Sequence, residues 1–258
     1  VDSGSYAACA GLRAQSEALE VAAHNLANLN TAGFRGQQTD FQSLLAVSHP
    51  TVPNVLNLAT NNFGVLEGSR LDIMPGNLET TGNPLDVGIE GGGFFAIQTA
   101  SGTRYTRDGS FHVSSAGVLV TAAGDPVLGD LSLIDKGKNK GKNKKGLIDV
   151  PAGAVSIASD GTLSVNGAVA GTIQLVEFAP GTKLTSEGGT LIAAPAGSAK
   201  PVDHPVLQQG TLESSNVNSI ASVVTLIGVQ RQAEMLQRAI SLFDNELNRI
   251  ASTDLAKV

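Results

Sequence analysis

The residues able to do chemistry are few in this chain and stand apart. His24, His49, His112 and His204 fall in four different contexts, and none forms an HxH or HExxH spacing, so no zinc site is expected. Asp108, Ser110 and His112 share one short stretch and have the side-chain types of a nucleophilic triad. A triad also needs its base oriented by a third group and donors for an oxyanion, and no GxSxG elbow occurs. The stretch reads better as a structural hairpin. Gly88 and Gly91–Gly93 have the composition of a phosphate loop, but a strand-like run follows where such a site needs a helix N-terminus. No carboxylate pair stands out, and Cys9 is alone, which leaves no intrachain disulfide and no multi-cysteine metal site. These residues predict a protein that is not an enzyme and takes no cofactor or metal.

Composition narrows the class further. A chain of 258 residues can hold one large or two small domains. Charged residues are 16% and aromatics 4%, without tryptophan, while glycines number 30, a mix that suits short strands and many turns. Net charge is −6 with no basic face, so nucleic acid is not an expected partner. No run approaches 18 apolar residues, so no membrane insertion is expected. The sequence does not open with a basic start and an apolar run, so no cleavable secretory signal is expected either.

The elements that would organise such a chain lie at its two ends. From Leu226 to Ile250 two apolar rows repeat every seven residues. One is Leu226, Ala233, Ile240 and Leu247, and the other is Val229, Leu236, Phe243 and Ile250. Together they form a narrow stripe on one helix face, suited to lengthwise packing on another helix. Gln230 and Arg231 lie between the rows, Asn216 and Asn218 are candidate caps, and Gly228 suggests a close approach between helices. Near the N-terminus Leu12, Leu19 and Leu26 keep the same spacing, with Ala8, Ala22 and Leu29 in a second row that Gln15 interrupts. Helical stretches at both ends predict a coiled-coil-like pair, with two amphipathic helices covering a sheet as the plain alternative. For His24 a structural role is expected.

Between them the chain changes character. Residues 35–70 lack a long period and read as an extended connector, with Phe41, Leu44 and Leu45 able to form a short helical piece. Residues 71–205 are short apolar runs between turn residues, which predicts an all-β domain. Strands are expected at 85–89 and 94–97 about a glycine turn, and at 104–106, 111–113, 118–121 and 126–128. A hairpin is expected across Asp160-Gly161, with strands at 173–178 and 191–193 beyond it. Lys136–Gly146 reads KGKNKGKNKKG and is expected to be a solvated loop tip. The fold class is therefore mainly β with long terminal α-helices. Its parts are an N-terminal helix in 1–34, the connector 35–70, the β domain 71–205 and a C-terminal helix in 206–258.

Several motifs carry a resemblance. Asn25-Leu26-Ala27-Asn28 followed by Thr31-Ala32-Gly33-Phe34 resembles the N-terminal signature of the flagellar basal-body rod and hook family. Leu212-Glu213-Ser214-Ser215-Asn216-Val217-Asn218 and the Gln230-Arg231 helix resemble its C-terminal signature. Gly82-Asn83-Pro84-Leu85-Asp86-Val87 through Gly93-Phe94-Phe95 resembles the middle motif, and Tyr105-Thr106-Arg107-Asp108-Gly109-Ser110-Phe111 the segment after it. The resemblance does not extend to about 131–205.

The resemblance implies a structural rod subunit that polymerises into a helical tube through its terminal helices and transmits torque from motor to hook. It also implies a periplasmic place in the basal body, export through the flagellar type III apparatus without a cleaved signal, and copies of itself and neighbouring rod subunits as partners. The expected assembly interface is Leu12, Leu19, Asn25, Leu26, Asn28, Gly33, Phe34, Asn216, Leu226, Val229, Gln230, Arg231, Leu236, Ile240, Phe243, Leu247 and Ile250. Residues Asp2–Tyr6 and Gly124–Gly129 look closer to a proximal-rod subunit than to a distal-rod or hook protein. The rival readings are a secreted β-rich hydrolase or carbohydrate-binding protein with helical appendages, and a chaperone-like coiled-coil protein.

Overall fold

The structure, a computed structural model, describes residues 3–42, 65–129 and 146–255. Among them two long helices, α1 (Ser3–Ala27) and α2 (Ser219–Leu255), bracket a series of short strands. The chain divides into two compact units. One holds α1, α2 and the paired strands Gln37–Gln42 and Val65–Leu71, the latter up to Arg70. The other holds Asn28–Gly36 and Leu71–Val217.

In the helical unit, α1 is rich in alanine and carries Val21 as its sole β-branched residue, a composition that favours helix. α1 packs on α2 and on the strand Gln37–Gln42. The face α1 buries is made of small residues, Gly11, Ala14, Ala18 and Ala22. This departs from the expected leucine row: Leu12, Leu19 and Leu26 lie half-buried beside that face. Small side chains let two backbones come close, so they take the centre of the contact and the leucines flank it. On α2 the half-buried positions Leu226, Val229, Ala233, Leu236 and Ile240 turn toward α1, following the predicted seven-residue spacing. Phe243, Leu247 and Ile250 continue that spacing along the helix backbone, and their side chains lie outside the described residues.

The helix ends are set by asparagines. Asn218 caps α2: its Oδ1 accepts from the Ala221 amide at 2.9 Å and its carbonyl from the Ser222 amide at 2.9 Å. Asn25, in the last turn of α1, pairs with the backbone of Gln37, donating to its carbonyl at 2.7 Å and accepting from its amide at 2.9 Å. From Gln37 onward the connector is strand where it is described. Phe41 belongs to Gln37–Gln42 and not to a helical piece, because that segment pairs as a strand with Val65–Leu71. Leu44, Leu45 and His49 lie outside the described residues.

The β body is built on a six-stranded antiparallel sheet. Its order is Thr185–Ser186, Ile192–Ala193, Gly102–Thr106, Phe94–Thr99, Leu175–Phe178, Ala199–Pro201. Alternation along Phe94–Thr99 sends Phe95 and Ile97 into the main core and Phe94 into a smaller cluster with Leu71, Val176 and Ile192. Phe95 meets Phe111 edge to face at 5.0 Å in the first, and Tyr105 meets Phe178 at 4.9 Å in the second. A three-stranded sheet of Val155–Ile157, Thr162–Val165 and Ala168–Thr172 adds Ile157, Leu163 and Val165 to the main core. The hairpin across Asp160-Gly161 forms as predicted.

Two expectations are corrected here. The strands around the glycine run do not pair with each other: Val87–Ile89 pairs with Leu207–Gln209, and Phe94–Thr99 pairs with Gly102–Thr106 and Leu175–Phe178. Gly91 and Gly93 both hold positive φ and redirect the chain between two sheets. Strands also continue past the expected boundary at 205, since Leu207–Gln209 and Thr211–Glu213 complete the body by pairing with Val87–Ile89 and Leu78–Thr80. The run Lys136–Lys145 lies outside the described residues.

Candidate assembly interface

The motif that leaves α1 folds into the β body. Thr31 ties back to Asn28 through its amide (3.2 Å) and its hydroxyl (3.2 Å), and Gly33 follows with φ +67°. A Cβ at Gly33 would fall 2.1 Å from the Asp108 amide nitrogen, so only glycine admits the Arg107-Asp108 backbone at this distance. The Gly33 amide donates to the Glu213 carbonyl at 2.7 Å, and Phe34 is buried. The next residue, Arg35, supplies a charge to the interior.

Arg35, Arg107 and Glu213 form a buried triad, each side chain 1–2% exposed. One Glu213 oxygen accepts from Arg35 Nη2 at 2.5 Å and from the Gly76 amide at 2.6 Å. The other accepts from Arg107 Nη1 at 2.9 Å. Arg107 also donates to the Gly91 carbonyl at 2.7 Å and lies over the Phe94 ring at 5.2 Å. Burial holds the Arg107 pKa below its usual value; Glu213 opposes this shift and Arg35 adds to it. Three charges taken from water at this depth need such close hydrogen bonding, and removal of one partner typically costs about 3–5 kcal/mol.

Neighbouring motif residues work as fasteners around the triad. Asn216 accepts from the Gly36 amide at 2.8 Å and donates to the carbonyls of Asp72 (3.0 Å) and Met74 (2.9 Å). Its expected capping role therefore falls to Asn218 alone. Asp86, in the middle motif, accepts from Thr81 at 2.6 Å and Asn83 at 2.8 Å, while its carbonyl receives the Gly210 amide at 2.8 Å. The parts of the four resembling segments that lie in the β body, Asn28–Phe34, Asp86–Phe94, Arg107 and Glu213–Asn216, meet at one junction, whereas Asn25–Ala27 and the Gln230-Arg231 helix belong to the helical unit.

The predicted residues thus fall into separate places. Asn28, Gly33, Phe34 and Asn216 hold the β body together, and Asn25 joins α1 to its neighbouring strand. Leu226, Val229, Leu236 and Ile240 turn to α1, whereas Gln230 and Arg231 are exposed. At Gly228, also exposed, nothing lies within 4 Å of an added Cβ, so the expected close approach is not made among the described residues. Sequence reasoning missed Arg35, Arg107 and Glu213 as a group, although each sits inside or beside a quoted motif.

The hydrolase reading loses its residues to local structure. Asp108 accepts from the amide (3.0 Å) and hydroxyl (2.6 Å) of Ser110 in a turn, and His112 is exposed on Phe111–Val113. An open groove of about 550 Å3 runs beside the middle motif, lined by Pro84, Leu85, Val113 and Val150–Val155, with neither Asp108 nor His112 in its wall. Among the described residues no cluster of His, Cys, Asp or Glu could hold a metal, and no helix is long and apolar enough to cross a membrane.

Two packed terminal helices and a β body locked at one junction define a structural building block. The chain belongs to the flagellar basal-body rod protein family, whose members are structural proteins and not enzymes. It matches the family described as flagella basal body rod protein over residues 6–35, and the FlgE/F/G hook protein D1 domain over 88–165. The FlgEFG C-terminal family matches residues 208–253. It is 33% identical to the flagellar basal-body rod protein FlgF of Escherichia coli, covering 89% of each chain. It is 32% identical to FlgF of Caulobacter vibrioides, covering 93% of this chain and 92% of that one. Against FlgG of Buchnera aphidicola from Acyrthosiphon pisum the identity is 31%, over 93% and 95%.

Proposed function

We propose that this chain polymerises into the helical tube of the bacterial flagellar rod through its paired terminal helices and carries torque from motor to hook. The observation that supports this best is the packing of the two chain ends on each other: a seven-residue seam on α2 meets a small-residue face on α1. That spacing is the pattern of a coiled-coil-like pair, a stiff element suited to lengthwise stacking. The β body, locked by the Arg35–Glu213–Arg107 triad, would stand outside the tube as a rigid block. Its partners are other copies and neighbouring rod subunits, and it reaches the periplasmic basal body through the flagellar export apparatus. We place it in the proximal rod on the resemblance of Asp2–Tyr6 and Gly124–Gly129.

The test is deletion of the gene and complementation with the full chain, read as motility and as protein in purified basal bodies. Complementation with recovery in the rod is expected. Motility without the chain, or its absence from basal bodies, would overturn the reading.

A further inference from the structure

The hairpin of Thr162–Val165 and Ala168–Thr172 turns on the chain's single Asn-Gly pair, Asn166-Gly167. Both residues are exposed and hold positive φ, and Asn166 is the one non-glycine residue to do so among the described residues. Its side chain takes over the pairing with the next strand where its backbone turns away. The Asn166 backbone amide donates to the Ala154 carbonyl at 3.0 Å, and Asn166 Oδ1 accepts from the Ala154 amide at 3.0 Å. Gly153 lies so close that a Cβ there would fall 2.3 Å from Asn166 Nδ2.

We propose that Asn166 is a site of spontaneous covalent modification, deamidation through a cyclic imide formed with Gly167. The Gly167 backbone nitrogen attacks Asn166 Cγ and gives up its proton as the new C–N bond forms. The Cγ–Nδ2 bond breaks, and Nδ2 leaves as ammonia. Water then opens the ring at either carbonyl, giving aspartate or isoaspartate.

Three observations select this residue. Gly167 has no Cβ to crowd its nitrogen, nothing lies within 4 Å of where one would stand, and its amide donates to no described residue. Asn25, Asn83 and Asn216 are instead followed by Leu26, Pro84 and Val217, whose side chains or ring obstruct the same attack. The Ala154 amide, by holding Oδ1, polarises the Cγ carbonyl toward a nucleophile as an oxyanion donor does. The turn must swing about Asn166 to bring nitrogen to Cγ, and here that opening is cheap. Ala168–Thr172 is the outer strand of its sheet, Val169 is 71% exposed, and the pairing is already irregular at Leu163/Ser164. Aspartate keeps an oxygen before the Ala154 amide. Isoaspartate adds a backbone carbon to a two-residue turn whose register sets Val165 opposite Ala168, and so breaks the latch on Gly153-Ala154.

The test ages the folded full chain in mildly alkaline buffer and follows its tryptic peptides by mass. Peptide 146–183 contains Asn166 as its one asparagine, and Asp160-Gly161 within it can isomerise only without change of mass. This peptide should gain about 1 Da ahead of every other peptide of the chain, as two separable products. An earlier gain in another peptide, or a gain in chain kept in urea but not in folded chain, would overturn the proposal. Asn166→Gly, which admits positive φ, should abolish the gain; its persistence would move the reaction to Gln174 and overturn the assignment. The isoaspartate fraction should melt below the Asn166→Asp variant, and equal melting would refute the latch.

Discussion

Arg35 and Glu213 stand 178 residues apart in sequence and meet at 2.5 Å, each side chain 1% exposed. Arg107 completes the site from the other carboxylate oxygen. Glu213→Gln keeps the shape but removes the one negative charge between two guanidinium groups. A loss of about 3–5 kcal/mol in unfolding free energy is expected, measured by denaturant titration of the full chain. Arg13→Ala, on the exposed side of α1, should change it by less than about 0.5 kcal/mol. Equal effects of the two variants would refute the triad as the fastening of the β body.

Gly33→Ala tests the contact that brings the α1 exit against Arg107-Asp108. The substitution meets both an unfavourable φ of +67° and backbone at 2.1 Å. A cost of at least about 2 kcal/mol is expected, seen as a lower melting temperature. An unchanged melt would mean that the segment Asn28–Gly36 can leave the body without penalty.

Asn216→Asp is nearly isosteric yet reverses half of the chemistry. The amide donates to two carbonyls, and a carboxylate would turn oxygen toward them instead. Asn216→Asp should destabilise the body by about 1–3 kcal/mol, whereas Asn218→Asp, at a helix cap, should be close to neutral. Chemical denaturation of both variants decides it, and the reverse order would restore Asn216 as the cap.

Asp160 gives the body a defined acid response. Its carboxylate accepts from the Thr162 backbone amide at 2.9 Å, and hydrogen bonding to Thr162 lowers its pKa below the usual 3.8. A lowered folded-state value means the charged form stabilises the fold above 3.8, and that contribution disappears as pH falls through the folded pKa. The difference in melting temperature between wild type and Asp160→Ala should therefore be present at neutral pH and close below the folded pKa. A pH-independent difference would assign the effect to turn geometry alone.

How much was legible in the sequence depended on the length of each pattern. The helix stripe on α2 spans several turns, and the structure keeps Leu226, Val229, Leu236 and Ile240 on one face. The α1 stripe is legible in its leucines and in Ala22, whereas close packing sets Ala14 and Ala18 beside Ala22 at the centre and leaves the leucines at the flank. Three-residue strands such as Leu207–Gln209 and Thr211–Glu213 are too short for a period of two to show, and their partners lie far away in sequence. Ala168–Thr172 was recoverable: Asn166-Gly167, with φ of 51° and 84°, is the local signal of the hairpin that precedes it. The triad was not, since no periodicity marks two arginines and a glutamate that face one another only once the body has closed.

That closure has a consequence for timing. The strands that pair with Leu78–Thr80 and Val87–Ile89 come from Leu207–Glu213, and Glu213 is also the carboxylate shared by Arg35 and Arg107. A growing or threading chain that has not delivered Glu213 lacks both the last two strands and the counter-ion for two interior arginines. Closing so long a loop comes late because its entropy is lost before its contacts form. The β body therefore closes only once Leu207–Glu213 have joined their partners, and a chain that stops short of Glu213 leaves two interior arginines facing each other without their shared carboxylate.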